Sequence, residues 1–436
     1  MRSHSLLIMS WSLLLLVACS TPPAGVEPPT EPPTEPTEPL ELVWEVRVAE
    51  PGAYASSVRP IPLDGGERLA VICATDDANT VWHIDPADGT VLDSVDVYDA
   101  VMGYGTLESF RAEPYVVGDD AILHIDSWPF RLDLRTGEVK WVVDGGTRDF
   151  AELADGKLYA GKMGFFGEGT EINVIDIEDG QSTLSIAPFP ADHPSVACQG
   201  GLRAMVVDPA VPNIITSTIR YCTEEDPGAS QAVRLGYDLE AKEVQWIDTL
   251  NNAGRPTSIH EIVSRGGVAV MAEYDTIRGF DIRTGEVLWT YDPWHLPLEQ
   301  TPELVLFERG GGGHFVATGP VLDERTGLVY VASTTHYQFC LDPLTGREVW
   351  RGGSGMGSWL QTFGLVGGGM LSSSPTPGHS QYILDKHDGS VLAEVDATPG
   401  SLFRCGPYYD EANDILVVYD GATVRGFRPR FEVPGE

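Results

Sequence analysis

The stretch Ile277 to Tyr291, IRGFDIRTGEVLWTY, decides the fold. It reads as a strand, a tight turn and a returning strand. Ile277 to Asp281 alternates around a small Gly279, and Arg283-Thr284-Gly285 makes the turn. Glu286 to Tyr291 runs back, with Trp289 four residues beyond the glycine. A glycine suits a hairpin position that needs positive φ. The β-branched and aromatic residues on both sides suit strands.

The same pattern recurs along the chain. Its aspartates are Asp85, Asp133, Asp176, Asp238, Asp281, Asp342 and Asp385, each preceded by an apolar residue. Four residues later stands Gly89, Gly137, Gly180, Gly285, Gly346 or Gly389; the fourth copy has Lys242 instead. Four copies then carry Trp141, Trp246, Trp289 or Trp350. Successive aspartates lie 48, 43, 62, 43, 61 and 43 residues apart. Strands repeating with a period in the forties, and no helical pattern, read as one propeller blade per repeat.

An eighth copy is split between the ends. TVRGFRPR, Thr423 to Arg430, matches the first strand, with Arg428 at the aspartate position; no returning strand follows it. LELVWEV, Leu40 to Val46, supplies that strand and puts Trp44 at the tryptophan position. Pairing the two closes the ring and removes open edges. The expectation is an all-β, eight-bladed propeller of four-stranded antiparallel blades. Seven blades is the alternative, if one divergent repeat forms none. Each blade has strands A to D from the channel outward, with the signature hairpin as C and D. Upstream, strands A and B are expected as apolar runs joined by polar turns, among them Leu69 to Cys73, Gly156 to Gly161, Asn213 to Tyr221, Gly327 to Ser333 and Asp414 to Tyr419. The signature tryptophans are expected to pack between blades. Gly236, Gly279 and Gly426 are expected to make room for a bulky neighbour from the next blade.

The chain has 436 residues, 42% hydrophobic, which is ample for a large core. Its 28 basic and 64 acidic residues give a net charge of −36, which repels nucleic acid and anionic membrane faces. Residues 1–18 read as a signal peptide. Arg2 and His4 precede an apolar run, Leu6 to Leu16, too short for a stable membrane span. The run ends in Leu16-Val17-Ala18-Cys19, which resembles the bacterial lipobox. That resemblance implies cleavage before Cys19 and acylation of its sulfur and amine, a firm anchor. Ser20 replaces the aspartate that often retains Gram-negative lipoproteins at the inner membrane, which favours the outer membrane and leaves its face open. Residues 19–39 continue as a Pro-Thr-Glu tether, extended and without a core, whose last 19 residues reach roughly 60 Å. Residues 40–436 are the propeller.

After Cys19, five cysteines remain, an odd number. Cys198 and Cys222 bracket the first two strands of the fourth blade and are expected to form a disulfide. Cys73, Cys340 and Cys405 lie in strand-like stretches and read as buried small apolar residues. The carboxylates of 323–327 and 410–414 match no calcium loop and read as plain A–B turns. The signature aspartates read as turn acceptors of backbone amides. Functional differences belong on the face opened by the D–A and B–C connections. There the chain carries Trp128, Phe165, Phe166, Trp294, His295 and Trp359, aromatic candidates for gripping a peptide or sugar. The equal alternative is that they plug the channel mouth. The four-glycine run 310–313 lacks the following Lys and Ser/Thr of a phosphate loop.

DIRTGEVLW and DPLTGREVW resemble the blade signature of the quinoprotein family, the propellers that bind pyrrolo-quinoline quinone in alcohol and glucose dehydrogenases. The resemblance covers nearly all of Leu40 to Arg430 and implies the same ring. Methanol-dehydrogenase-like members carry two adjacent cysteines, and this chain has no Cys-Cys pair and no Cys-x-x-Cys-His haem site. The ten histidines show no ligand spacing. A cofactor-free branch with the same repeats, the outer-membrane-protein assembly lipoproteins, matches in lipobox and ring size. The resulting expectation is a monomeric, non-enzymatic lipoprotein ring without cofactor or metal. It is anchored through Cys19 in the cell envelope, where it binds a protein or glycan. A quinone-dependent oxidoreductase with a rearranged site is the alternative.

Overall fold

In the computed structural model each repeat folds as an antiparallel sheet, and there are eight. The structure describes residues 38–49, 56–57, 60–74, 79–97, 115–125, 128–143, 147–162, 171–186, 201–223, 226–250, 262–273, 276–292, 320–332, 337–353, 362–367, 369–374, 381–395, 407–419 and 422–435. Blades 1 to 7 follow in chain order within 56–96, 115–142, 147–186, 201–250, 262–291, 321–353 and 362–395. Blade 8 comprises strands A to C at Tyr408–Asp410, Ile415–Tyr419 and Thr423–Pro429, and takes Leu40–Arg47 as its strand D. The eight-bladed expectation holds, and the seven-bladed alternative falls. The terminal strands pair as expected, with Trp44 opposite Gly426 and Leu42 opposite Phe427. The five apolar runs expected upstream of the hairpins are strands, all of them strand B, within a residue or two of the expected ends.

The core lies on both sides of every sheet. Strand B is the most buried strand, and Val268–Glu273 and Ile415–Tyr419 contain no exposed residue. Clusters span adjacent blades, as where Ala204 and Ile214 of blade 4 join Ala269, Met271 and Phe280 of blade 5. A sheet that is apolar on both faces is stable only when both are covered, and a ring of blades does that.

The signature hairpin turns as its sequence dictates. In blade 5 the Gly285 amide donates to the Asp281 carbonyl at 2.8 Å, and the Arg283 and Thr284 amides donate to Asp281 Oδ1 at 2.7 and 3.1 Å. Asp85, Asp133, Asp176, Asp238, Asp342 and Asp385 also accept the amide two residues on. Gly285 has φ of 73°, a conformation that favours glycine.

Strand D of every blade contains a bulge at the same place. In blade 5 Gly279 pairs with Trp289 and Phe280 with Val287, so Leu288 is the extra residue. The same slip makes Val43, Leu92, Lys140, Thr183, Gln245, Val349 and Leu392 the extra residues elsewhere. A bulge twists the strand locally and re-aims the side chain beside it. In five blades that side chain is the signature tryptophan.

Five indoles cross from strand D of one blade to the C–D turn of the next. Trp44 donates to Pro86 O (3.0 Å), Trp141 to Ile177 O (2.8 Å) and Trp246 to Ile282 O (2.8 Å). Trp289 donates to Pro343 O (3.0 Å) and Trp350 to Lys386 O (2.8 Å). Each ring lies on the turn glycine, and a Cβ added at Gly89 would fall 2.7 Å from Trp44. The strand C glycines correct one expectation. Gly236, Gly279 and Gly426 face the indoles of their own sheets, Trp246, Trp289 and Trp44. The reason is register: each is the direct cross-strand partner of its tryptophan.

The indole seam yields a test at the ring closure. Trp44→Ala should lower unfolding free energy by about 3–5 kcal/mol, as for a buried aromatic cut to alanine. Trp44→Phe, which keeps most of the packing and loses the bond to Pro86, should cost about 1 kcal/mol plus the smaller ring's lost contacts. Urea unfolding of both variants reads the difference.

Candidate functional site

The A–B and C–D turns emerge on one face of the ring. Within a blade they are tied together, with Ile282 N donating to Gly267 O and Lys386 N to Gly369 O. Between blades they are tied by long side chains. Arg265 donates to Gly327 O, and Arg135 of blade 2 reaches Asp64 of blade 1. Lys386 Nζ of blade 7 lies 2.9 Å from Asp323 Oδ2 of blade 6, both side chains 3% exposed. Burial alone would raise the Asp323 carboxyl. Lys386, the Thr326 hydroxyl and the Arg325 amide outweigh it and hold the group below the ordinary range.

This face has its carboxylates engaged. Asp323 accepts from Arg325, Thr326 and Lys386; Asp410 accepts from Ala412 and Asn413. Both segments are the A–B turns of their blades. Among the described residues no three His, Cys, Asp or Glu side chains gather as a metal site. Also among them, no helix is long and apolar enough to cross a membrane. Cys73 and Cys340 are free, buried thiols. Burial pushes the Cys73 thiol up and takes Cys340 to about 12, so both behave as apolar side chains.

Of the aromatic candidates, Trp128 alone falls within the described residues. Trp128 opens strand C of blade 2, Trp128–Asp133, and its backbone pairs with Ile125 across the B–C connection. Phe165, Phe166, Trp294, His295 and Trp359 lie outside the described residues, as do Cys19, Cys198 and Cys405. Cys222 lies on strand B of blade 4, Ile214–Thr223, opposite Ser230.

Sequence reasoning missed three buried polar groupings. The Arg131 side chain, 10% exposed, donates to Asp120 (2.6 Å) and to Ile177 O of blade 3 (2.7 Å), while Lys140 also binds Asp120. Arg234 bonds Asp248 at 2.7 Å and lies 4.5 Å over the Phe280 ring of blade 5. The third is His83, in blade 1. It occupies the position of Gly279, and Asp93 occupies that of Trp289. A signal was present: both stand at the signature offsets from Asp85.

The geometry defines a class, the eight-bladed propeller with indole-stapled blades. No family model matches the sequence, and no curated protein matches it. Solved structures do match in fold. BamB from Moraxella catarrhalis aligns over 91% of this chain and 99% of its own, with a TM-score of 0.51 and 13% identity. A europium-containing methanol dehydrogenase aligns over 89% and 85%, with a TM-score of 0.55 and 13% identity. The quinohemoprotein alcohol dehydrogenase ADHIIG from Pseudomonas putida HK5 aligns over 92% and 78%, with a TM-score of 0.56 and 14% identity. In fold the chain is a quinoprotein-like propeller, similar in architecture to BamB.

The buried Lys386–Asp323 pair makes a prediction with a definite sign. Asp323→Asn leaves a buried ammonium uncompensated and should cost about 3–5 kcal/mol at neutral pH. A depressed carboxyl stabilises above its unfolded value, about 3.9, and that stabilisation is lost as the pH falls through the folded value. Denaturant unfolding should therefore show the two proteins far apart at neutral pH and converging in acid.

Proposed function

We propose that the protein is a lipid-anchored, non-enzymatic propeller scaffold that holds a partner protein, or a glycan, at a bacterial cell envelope. The observation that carries this reading is the fold likeness to BamB over 99% of that chain, where 15–22% of the two dehydrogenases lies beyond the match. The lipobox ending at Cys19 and the Pro-Thr-Glu tether support an anchored ring with room to reach from the bilayer. The outer membrane is the favoured site, and the ring acts as a monomer.

The binding face is that of the D–A and B–C connections. Trp128, Phe165, Phe166, Trp294, His295 and Trp359 are the residues we assign to contact. Aromatic side chains give large contact area at low entropic cost and dominate interface energetics. The other face has its turns committed to holding blades together. A Cys198–Cys222 disulfide would brace the insertion before blade 4, on the contact side.

The second reading is a quinone-dependent oxidoreductase, favoured by the fold likeness to the two dehydrogenases. The described residues do not fit it: they offer no clustered calcium donors, and the turn carboxylates are already bonded.

Affinity capture of the tethered chain from its own envelope tests the proposal. Wild type should retain one dominant envelope protein, and alanine at Trp294, His295 and Trp359 together should cut recovery at least about tenfold. Unchanged recovery sinks the choice of face. Cys19→Ala should move the chain from the membrane to the soluble fraction. Added quinone and calcium should leave no chromophore; a bound one, with dye reduction by alcohols, decides for the second reading.

A further inference from the structure

One seam departs from the indole pattern in a way that changes its chemistry. At the boundary of blades 1 and 2 no tryptophan crosses. The His83 side chain, 0% exposed, puts Nε2 2.6 Å from Leu134 O. Leu134 follows Asp133 as Ile282 follows Asp281, so the imidazole takes the acceptor that an indole takes elsewhere. Its Nδ1 bonds Asp93 Oδ1. Val95 fills the space over the turn glycine, Gly137.

Asp93 starts a line of alternating charge along the seam. Arg68 Nη1 lies 3.6 Å from Asp93, and Arg68 Nε lies 3.8 Å from Asp64. Arg135, on the blade 2 turn, binds Asp64 of blade 1 and, at 2.7 Å, Asp119 of its own blade. The hydrogen bond from Arg135 holds Asp64 below the usual carboxylate range. Water reaches the line: Asp93 is 53% exposed, Arg135 37%, Asp64 30% and Arg68 28%.

We propose that Arg135–Asp64, the ion pair of this line that crosses from blade 2 to blade 1, is an ionic lock ordered by Arg68, Asp93 and His83, and that the seam loosens when salt screens it. Beneath the line an apolar cluster joins Ile72 and Val81 of blade 1 to Leu123 and Phe130 of blade 2, so the physical difference from an indole seam is the ionic share of the cohesion. Exposed ion pairs weaken as the Debye length falls to about 3 Å near 1 M salt. Apolar burial and an indole–carbonyl bond carry no net charge and do not weaken in that way. The ring therefore has a joint placed by charge, one blade beyond its closure. Local opening of this kind is the ordinary low-energy end of native fluctuation.

Hydrogen exchange on the intact protein tests this at low salt and at about 1 M sodium chloride. Exchange in 79–97 and 128–143 should rise about fivefold with salt. Exchange in 276–292 and 337–353, which flank the Trp289 seam, should not change. Arg135→Gln, at a solvent-reached position, should raise low-salt exchange at the first seam and shrink the response. The double variant His83→Gly with Asp93→Trp installs the residues of the other seams and should abolish the response. If that double variant does not fold, Arg135→Gln alone decides. Equal salt response at both seams, or none at the first, overturns the lock.

Discussion

An indole has one N–H to satisfy and a broad flat face to cover, and this ring meets both needs with the neighbouring hairpin. The turn offers a carbonyl at the residue after its aspartate and a glycine with no side chain. Each tryptophan buries roughly 200 Å², worth about 5 kcal/mol at the usual coefficient. That is comparable to the whole stability of a small domain. The blade before, the bulge that aims the ring and the turn that receives it are thus one unit spread over two repeats. Stability in such an array is a sum over blades and the contacts between them. A ring differs from a row because the last contact must return to the first element, and Leu40–Arg47 performs that return.

Much of the acidic composition has a structural use. Seven signature aspartates hold their own turns by accepting amides, and Asp323, Asp410 and Asp120 hold neighbouring segments. An aspartate at such a position is worth more than its charge, because it pre-organises a turn that must fit beneath a ring.

The phase of the repeat was legible because one physical demand recurs: a turn acceptor, a glycine and an indole at fixed spacing. Blade count, strand order and closure all follow from that phase. The bulge was not read, although Val287-Leu288-Trp289 breaks the alternation that a regular strand requires, and Leu288 is 49% exposed. A period of two describes the residues on either side of the defect and passes over it. The packing of Gly279 against its own tryptophan needed the register, which a sequence does not state. The candidate face was the least legible part. Its connections are where the repeat lapses, so no residue there is constrained by a counterpart in the next blade.

Lys242 has φ of 58°, the left-handed conformation that its six counterparts give to glycine. The blade before it presents Leu184, which shares an apolar cluster with Leu239 and Val244 of blade 4. Where no flat ring presses on the turn, a side chain survives there for a backbone cost of about 1 kcal/mol. Repeats in this chain are therefore not interchangeable parts. A duplication that placed a tryptophan-bearing blade ahead of Lys242 would drive an aromatic ring into a lysine stem, whereas the same blade ahead of Gly346 would seat at once. The order of the eight is written into their joints, and growth of the ring by copying is confined to the positions whose receiving turn is bare.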